Sequence, residues 1–457
     1  MERRDFLWLG AAVVGRSFSP ALIQTPAAPQ ADIRLRIAPV QLEIAPKRVV
    51  KTIGYNGTVP GPLIRCHEGD RLTIEVRNDS ANHALVHWHG LHIPSDVDGA
   101  DEEGTPMVPP SGTAHYQFTA APSGSRWYHA HGFAGRNLNL AAYTGQFGFL
   151  YIEPKREAGA YDQEVFLAIH GWEPSLVPMG DPDGTLDVEY KYFSVNSHSL
   201  GAGDPVRVRE GQRVMFRILN ASATSTHRLA LPGHTFMVVA LDGNPVPAPT
   251  SVEAIELAPA ERVDAVVTMN APGVWVLGDV DEKTRRDGLG VVVEYAGQTG
   301  AAQWSASRSA LDAPWDYTVF GASAPRPADG TVAPVLTLVP LIFKKKFAGH
   351  RWVDNWTVNG KSFPATDPIK IESGRRYRLQ LVNDSDEAHP VHLHRHSFEL
   401  VSVGGKPTTG VVKDVVVVPA MSRVEADFTA DNPGPTLFHC HQQLHMDYGF
   451  MTLLTYA

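Results

Sequence analysis

The stretch Leu437-Phe438-His439-Cys440-His441-Gln442-Gln443-Leu444-His445, followed by Met446, Gly449, Phe450 and Met451, decides how this chain of 457 residues is read. The turn Asn432-Pro433-Gly434-Pro435 precedes it and an apolar run follows, so its flanks read as β-strand. Alternate side chains of a strand point to opposite faces, which sets His439 and His441 on one face and Cys440 on the other. A sulfur on one side and two imidazoles on the other can serve two metal sites joined by a few covalent bonds. A buried thiol among structural histidines is the plainer alternative. The rest of the chain decides between them.

The chain is too long for one ordinary core, and its length suggests about three domains. A hydrophobic content of 43 %, with 40 Gly and 35 Pro, suits a turn-rich β protein better than a helical one. The net charge of -9 gives no reason to expect a nucleic-acid partner, and Lys344-Lys345-Lys346 is a short solvated edge. The only cysteines are Cys66 and Cys440. If Cys440 binds metal, Cys66 has no partner, so no disulfide and a buried or inert Cys66 are expected. No apolar run of about 18 residues or more argues for a membrane span. The N-terminus reads as an export signal: Arg3-Arg4-Asp5-Phe6-Leu7 leads into an apolar Trp8 to Val14 and a Ser/Pro/Ala-rich tract to Ala31. Twin arginines before Phe-Leu resemble the Tat signal, whose route carries folded proteins. Cleavage is expected between Ala21 and Ala31, leaving a soluble periplasmic or secreted protein.

One module recurs three times. Glu68-Gly69-Asp70-Arg71 through Asn78-Asp79-Ser80 is echoed by Glu210-Gly211-Gln212-Arg213 through Asn220-Ala221-Ser222, and again by Glu372-Ser373-Gly374-Arg375 through Asn383-Asp384-Ser385. Each copy is a turn, an alternating strand and a second turn. About 60 to 65 residues after each glycine comes a second echo: Trp127-Tyr128-His129-Ala130-His131, Val274-Trp275-Val276-Leu277, and Leu437 to His441. These repeats predict an all-β chain of three Greek-key β-sandwich domains at 32–157, 158–296 and 334–457. Residues 1–31 form the signal, and the Ala/Ser/Gly/Pro-rich stretch 297–333 reads as a linker draped over the surface. The middle copy has Leu277-Gly278 and a lone His227 or His234 where its siblings have paired histidines. It should bind no metal and set the distance between the outer two.

Four His-x-His pairs stand out: His87-Trp88-His89, His129-Ala130-His131, His392-Leu393-His394 and His439-Cys440-His441. With 20 His in the chain, random placement gives roughly one such pair. His394-Arg395-His396 is a fifth and reads as the accidental one. Two pairs come from the first module and two from the third, which predicts a shared interface. Eight convergent imidazoles exceed the roughly four ligands a zinc site uses and suit a cluster of several ions. His389 stands three before His392 and so tends to the opposite face. With Cys440 and His445 it makes the trigonal His2Cys set of a blue-copper electron-transfer centre.

In order, His-Trp-His-Gly (87–90), Tyr-His-Ala-His (128–131), His-Pro-Val-His-Leu-His (389–394) and His-Cys-His-x3-His (439–445) resemble the four copper motifs of the multicopper oxidases, the family of laccases, ascorbate oxidase and bacterial copper-resistance oxidases. The resemblance covers nearly the whole mature chain. It implies three cupredoxin-like domains and four coppers per chain. It places type 1 copper on His389, Cys440 and His445, type 2 on His87 and His392, and the type 3 pair on His89, His129, His131, His394, His439 and His441. It further implies O2 as acceptor, and a monomer is expected. Electrons would pass from a donor at the exposed edge of His389 or His445 through Cys440 and its flanking histidines.

Asp98, in Asp96-Val97-Asp98-Gly99, matches the family's proton-relay acid and also reads as a turn former before glycine. Some bacterial members carry a second acid directly after the last type 1 histidine. Here that place is Met446, while Asp447 beside it should point elsewhere. Ten residues after the cysteine, the axial position falls on Phe450, which cannot coordinate, although a local slip would bring in Met451. A Met-rich segment for Cu(I) is lacking, so phenols and aromatic amines are the expected donors, with cuprous ion second. A non-catalytic copper-binding protein or metal-free scaffold is the other class, but scaffolds lose the ligands and this chain keeps all eleven. Four pairs in one chain argue against a two-domain copper nitrite reductase.

Overall fold

The computed structural model describes residues 31–155, 160–178, 186–322, 335–346 and 355–457. The twin-arginine segment and its cleavage region fall outside these residues. The described chain is nearly all β, and its strands follow the period-2 signal. In Arg376–Asn383, for example, Tyr377, Leu379, Leu381 and Asn383 are buried while the residues between them are half-exposed.

Six sheets pair off along the chain, two for each copy of the module. In the first copy one sheet runs Arg48–Tyr55, Ile33–Ala45, Arg71–Asn78, Thr113–Thr119, and the other Ile64–His67, Phe147–Glu153, Gly124–Ala130, Val86–His89. The chain passes from one sheet to the other rather than pairing each strand with its successor, which is the Greek-key pattern. The other copies repeat the order. The opening strand lies parallel to the echoed strand each time: Ile33–Ala45 on Arg71–Asn78, Gln163–Pro178 on Arg213–Asn220, and Val335–Lys346 on Arg376–Asn383. The closing strand is parallel to a short partner each time: Phe147–Glu153 with Ile64–His67, Gly290–Tyr295 with Val206–Val208, and Met451–Tyr456 with Ile369–Ile371.

The Asn-x-Ser repeat has a physical reason. Asn78, Asn220 and Asn383 are fully buried at the ends of equivalent strands, and the Oδ1 of each accepts from the backbone N–H two residues on at 3.0 Å. Each Nδ2 donates to carbonyls of the turn and of a second strand: Asn82 and Val108, Ser225 and Leu257, Glu387 and Val418. One amide thus satisfies backbone groups that the sheets cannot reach.

Two local expectations need correction. The stretch 297–322 is anchored rather than draped: it carries the helices Arg308–Asp312 and Tyr317–Phe320, buries Tyr317 and Phe320, and pairs Gln303 with Trp275. The strand that begins at Thr436 ends at Cys440, and the chain turns through the short helix Gln443–Asp447 before the closing strand. His396 stands apart from the other pairs, in keeping with its reading as the accidental one: Arg395 has a φ of 60° and breaks the alternation, and the His396 ring bonds Tyr456. Among the described residues no helix is long and apolar enough to cross a membrane.

Replacing Asn383 by Ala orphans several buried backbone groups at about 1–3 kcal/mol each. The Asn383→Ala protein should unfold at clearly lower temperature than wild type, and an unchanged calorimetric midpoint would contradict the role given to this side chain.

Candidate metal centres

Strand pairing builds two square patches of imidazoles. His87 lies opposite His129 where Val86–His89 pairs with Gly124–Ala130, and His392 lies opposite His439 where His389–Leu393 pairs with Thr436–Cys440. Alternation adds His89, His131, His394 and His441 to the same faces. The patches meet face to face: the His89 and His392 rings stack at 3.8 Å between centroids, and His87 and His394 at 4.0 Å. The four predicted pairs therefore converge as expected, and all eight rings are buried.

The orientation of the rings is set from outside. Nδ1 of His87 and of His394 lie 3.0 and 2.8 Å from Asp98 Oδ2, Nδ1 of His392 lies 2.6 Å from the Asp414 carbonyl, and Nε2 of His89 lies 3.0 Å from Asp414 Oδ1. His129 and His439 bond by Nδ1 to the carbonyls of Ala130 and Cys440. What remains faces inward. Nε2 of His87, His129, His131, His392 and His441 and Nδ1 of His89 are buried without a hydrogen-bond partner, and Nε2 of His394 and His439 meet at 3.0 Å. Six orphaned imidazole nitrogens in one place are costly unless cations bind there, and imidazole suits copper, iron, nickel or zinc. Groupings such as His87/His392/His394 and His131/His394/His439 bring their nitrogens close enough to share an ion. Burial, reinforced by neighbouring histidines, depresses His89, His129, His131, His392, His394, His439 and His441. His392 is pushed down to about 3 and His439 to about 4, so both are neutral at pH 7 and able to donate to a cation.

On the other face of the same strand, Cys440 Sγ lies 3.8 Å from His389 Nδ1 and 3.6 Å from His445 Nδ1, which are 3.0 Å apart. This is a triangle a single cation can occupy, and the short helix brings His445 back to the level of Cys440. Phe450 is fully buried with its ring 4.8 Å from that of His389, whereas Met451 packs in a separate cluster with Met446, Leu437 and Ala100. Cys66 is buried and free, as expected.

The expected exposed imidazole edge is absent: His389 and His445 are 0 % and 3 % exposed. Glu387 covers His445 instead, accepting from Nε2 at 3.1 Å, and Trp356 lies over both rings at 4.5 and 4.3 Å. Neither residue carried a signal in the sequence. Glu103 was missed for the same reason: it is buried beside Asp98, accepts from the Leu437 N–H at 2.6 Å, and has its carboxyl raised well above the ordinary value by burial and by the Asp98 charge. Asp447 does point elsewhere, accepting from the N–H groups of Ala134 and Gly135.

In the middle module both candidate histidines have their nitrogens in use. His227 bonds Asp279 at 2.9 Å and Ser222 at 3.2 Å, and His234 bonds the Pro232 carbonyl and Tyr295.

Three family models, each described as multicopper oxidase, match residues 37–157, 163–289 and 340–457. The chain is 30 % identical to multicopper oxidase MmcO of Mycobacterium tuberculosis (strain ATCC 25618 / H37Rv), over 89 % of this chain and 84 % of that one. It is 26 % identical to Laccase-1 of Botryotinia fuckeliana, over 87 % and 77 %, and 23 % identical to copper resistance protein A of Escherichia coli, over 88 % of each. Among solved structures, the multi-copper oxidase from Pseudomonas Thermotolerans has a TM-score of 0.71 at 25 % identity, covering 94 % of this chain and all of that one. Fet3p, a multicopper oxidase that functions in iron import, reaches 0.80 at 19 % identity over 93 % and 90 %, a likeness of fold alone.

The depressed histidines give a signed pH dependence for metal-free protein. Above the unfolded value of 6.5 both states are neutral; as pH falls toward 4 and then 3 the unfolded chain takes up protons that the folded one refuses, so stability is lost. Thermal midpoints of the metal-free protein should fall steadily below about pH 6.5, and a midpoint that is flat down to pH 4 would refute this.

Proposed function

Since the chain belongs to the multicopper oxidase family, we propose that this oxidoreductase couples four one-electron oxidations of phenols or aromatic amines to the reduction of O2 to two waters. It would hold four coppers: type 1 on His389, Cys440 and His445, type 2 on His87 and His392, and a type 3 pair on His89, His129 and His441 and on His131, His394 and His439. The observation that carries this reading is the strand Thr436–Cys440, whose cysteine lies in one cation-sized triangle while its neighbours His439 and His441 belong to the cluster of imidazoles.

Bound copper supplies one-electron redox chemistry and the place where oxygen is reduced. The protein supplies the rest. Cys440 is joined covalently to His439 and His441, and His439 Nδ1 donates to the Cys440 carbonyl at 2.8 Å, so a short bonded route links the centres. Reduction of O2 to two waters also takes four protons. Asp98 holds the outer nitrogens of His87 and His394, and Glu103, its carboxyl raised well above the ordinary range by burial and the charge of Asp98, stands next to it. These two acids are the proton store, in place of the acid missing at Met446. Phe450, whose ring packs 4.8 Å from that of His389, offers no donor atom, so a copper held by His389, Cys440 and His445 would gain no ligand from it, which would favour Cu(I) over Cu(II) and a high potential. The Arg3-Arg4 signal would deliver the folded protein outside the cytoplasm, where it acts as a monomer.

A second reading has its own support. Glu387 on His445 Nε2, with the Asp187 carboxyl close enough to feel both, makes the donor face acidic and favours a cationic donor such as cuprous ion.

Oxygen uptake by copper-loaded protein with a phenol, an aromatic amine, Fe(II) and Cu(I) decides between them. The first reading expects the phenol and the amine to be the better substrates. Glu387→Gln should raise KM for cationic donors and leave a neutral phenol nearly unchanged; turnover of Cu(I) alone would reject the laccase-like reading. Phe450→Met should lower the type 1 potential, and no drop in a redox titration would mean that Phe450 is not axial.

A further inference from the structure

The middle module binds no metal in this account, yet one of its side chains reaches the imidazole cluster. Asp414 of the third module is fully buried between three modules. Its Oδ1 accepts from Nε2 of His89 at 3.0 Å and from the Arg262 guanidinium at 2.6 Å, and its Oδ2 accepts from the other terminal nitrogen of Arg262 at 2.6 Å. Its carbonyl takes Nδ1 of His392. Arg262, from the middle module's strand Arg262–Thr268, thus grips in a two-pronged fork the carboxylate that orients one ligand, while the same residue's backbone orients a second.

Arg262 is itself held. Its remaining donors go to the carbonyls of Ser125, Ala260 and Asp242, and the Asp242 carboxylate accepts from the backbone N–H groups of Asp414 and Val415. Arg126 of the first module also approaches Asp414, but more loosely, at 3.3 Å. The packing leaves no slack. A Cβ on Gly90, the residue after His89, would lie 2.5 Å from Asp414 Oδ2 and 2.8 Å from Arg262.

We propose that Arg262 is a positioning residue for the oxygen-reducing cluster: by fixing Asp414 it fixes the ring of His89, so that Nδ1 faces the metal. This rests on the copper assignment above. The functional weight of the fork lies in its geometry, since a guanidinium can hold both carboxylate oxygens in one plane and an ammonium cannot. A purely structural ion pair would depend on charge and burial alone, and a lysine would partly replace it.

The test compares copper-loaded wild type, Arg262→Lys and Tyr317→Phe. Tyr317 bonds Glu261 at 2.5 Å on the far side of the same buried network and touches no ligand. Outer partners of metal ligands typically govern affinity by about 10- to 100-fold. Arg262→Lys should therefore lose cluster copper to a chelator at correspondingly lower chelator concentration, with a weakened type 3 absorption and a new EPR signal from uncoupled copper. The blue type 1 band should stay, because His389, Cys440 and His445 make no contact with this network. Tyr317→Phe should lower the unfolding temperature without either spectral change. Type 3 signals and copper retention in Arg262→Lys equal to wild type would overturn the proposal, as would equal copper loss in Tyr317→Phe, which would mean general loosening. If Arg262→Lys does not fold, Arg262→Gln, which removes the fork but leaves Asp414 in place with Arg126 as its remaining cationic partner, carries the same readouts. Wild type that lacks type 3 copper would instead defeat the copper assignment itself.

Discussion

The structure depends on the alternation of side chains along one strand. Because Cys440 and its two neighbours must point to opposite faces, a single short segment forms a wall between two centres and belongs to both. No loop could do this as economically, since loop side chains have no fixed alternation and their backbone polar groups would need other partners. The sheet also protects the arrangement. Thr436–Cys440 is flanked on one side by His389–Leu393 and on the other by Met451–Tyr456, so the register that sets His392 opposite His439 cannot slip without breaking both ladders.

Around this strand the protein accepts a large electrostatic cost. Eight imidazoles, Asp98, Glu103, Asp414, Asp242, Arg126, Arg262 and Lys413 are all out of water. The charged ones survive by pairing. Burial alone would raise the Asp414 carboxyl, but Arg262 overrides it and holds the group down at about 2, while Lys413 sits 2.9 Å from Asp242 and 3.1 Å from Glu261. Buried ion pairs of this kind are poor sources of stability and good sources of definite geometry. Burial depresses imidazoles such as His392 and His439, which stay neutral and so available as ligands.

What was legible in the sequence was whatever local periodicity controls. The His-x-His pairs, the opposite facing of His389 and Cys440, the threefold echo and the isolation of Cys66 all follow from period-2 alternation or from counting. Counting alone set the fifth pair aside, and the positive φ at Arg395 is the physical reason it stays apart; the turn of helix that carries His445 was hidden because five residues are too few to show a period. Glu103, Trp356, Glu387 and Asp414 were illegible for a different reason. Each acts across the fold on a residue far away in the chain, and nothing in its own neighbourhood marks it. The linker reading failed because composition reports polarity, while Tyr317 and Phe320, two aromatic side chains in a polar stretch, anchor it to the core.

The bonds that complete the cluster span enormous chain distances: His89 to Asp414 is separated by 325 residues, and His394 to Asp98 by 296. A ribosome making this chain releases His89 long before Asp414, which aims it, exists, and Asp98 long before His394, which it aims. A growing chain therefore cannot assemble the copper nest piecemeal; it must finish synthesis and close its three modules before the nest is formed, and metal is then taken up by a completed fold.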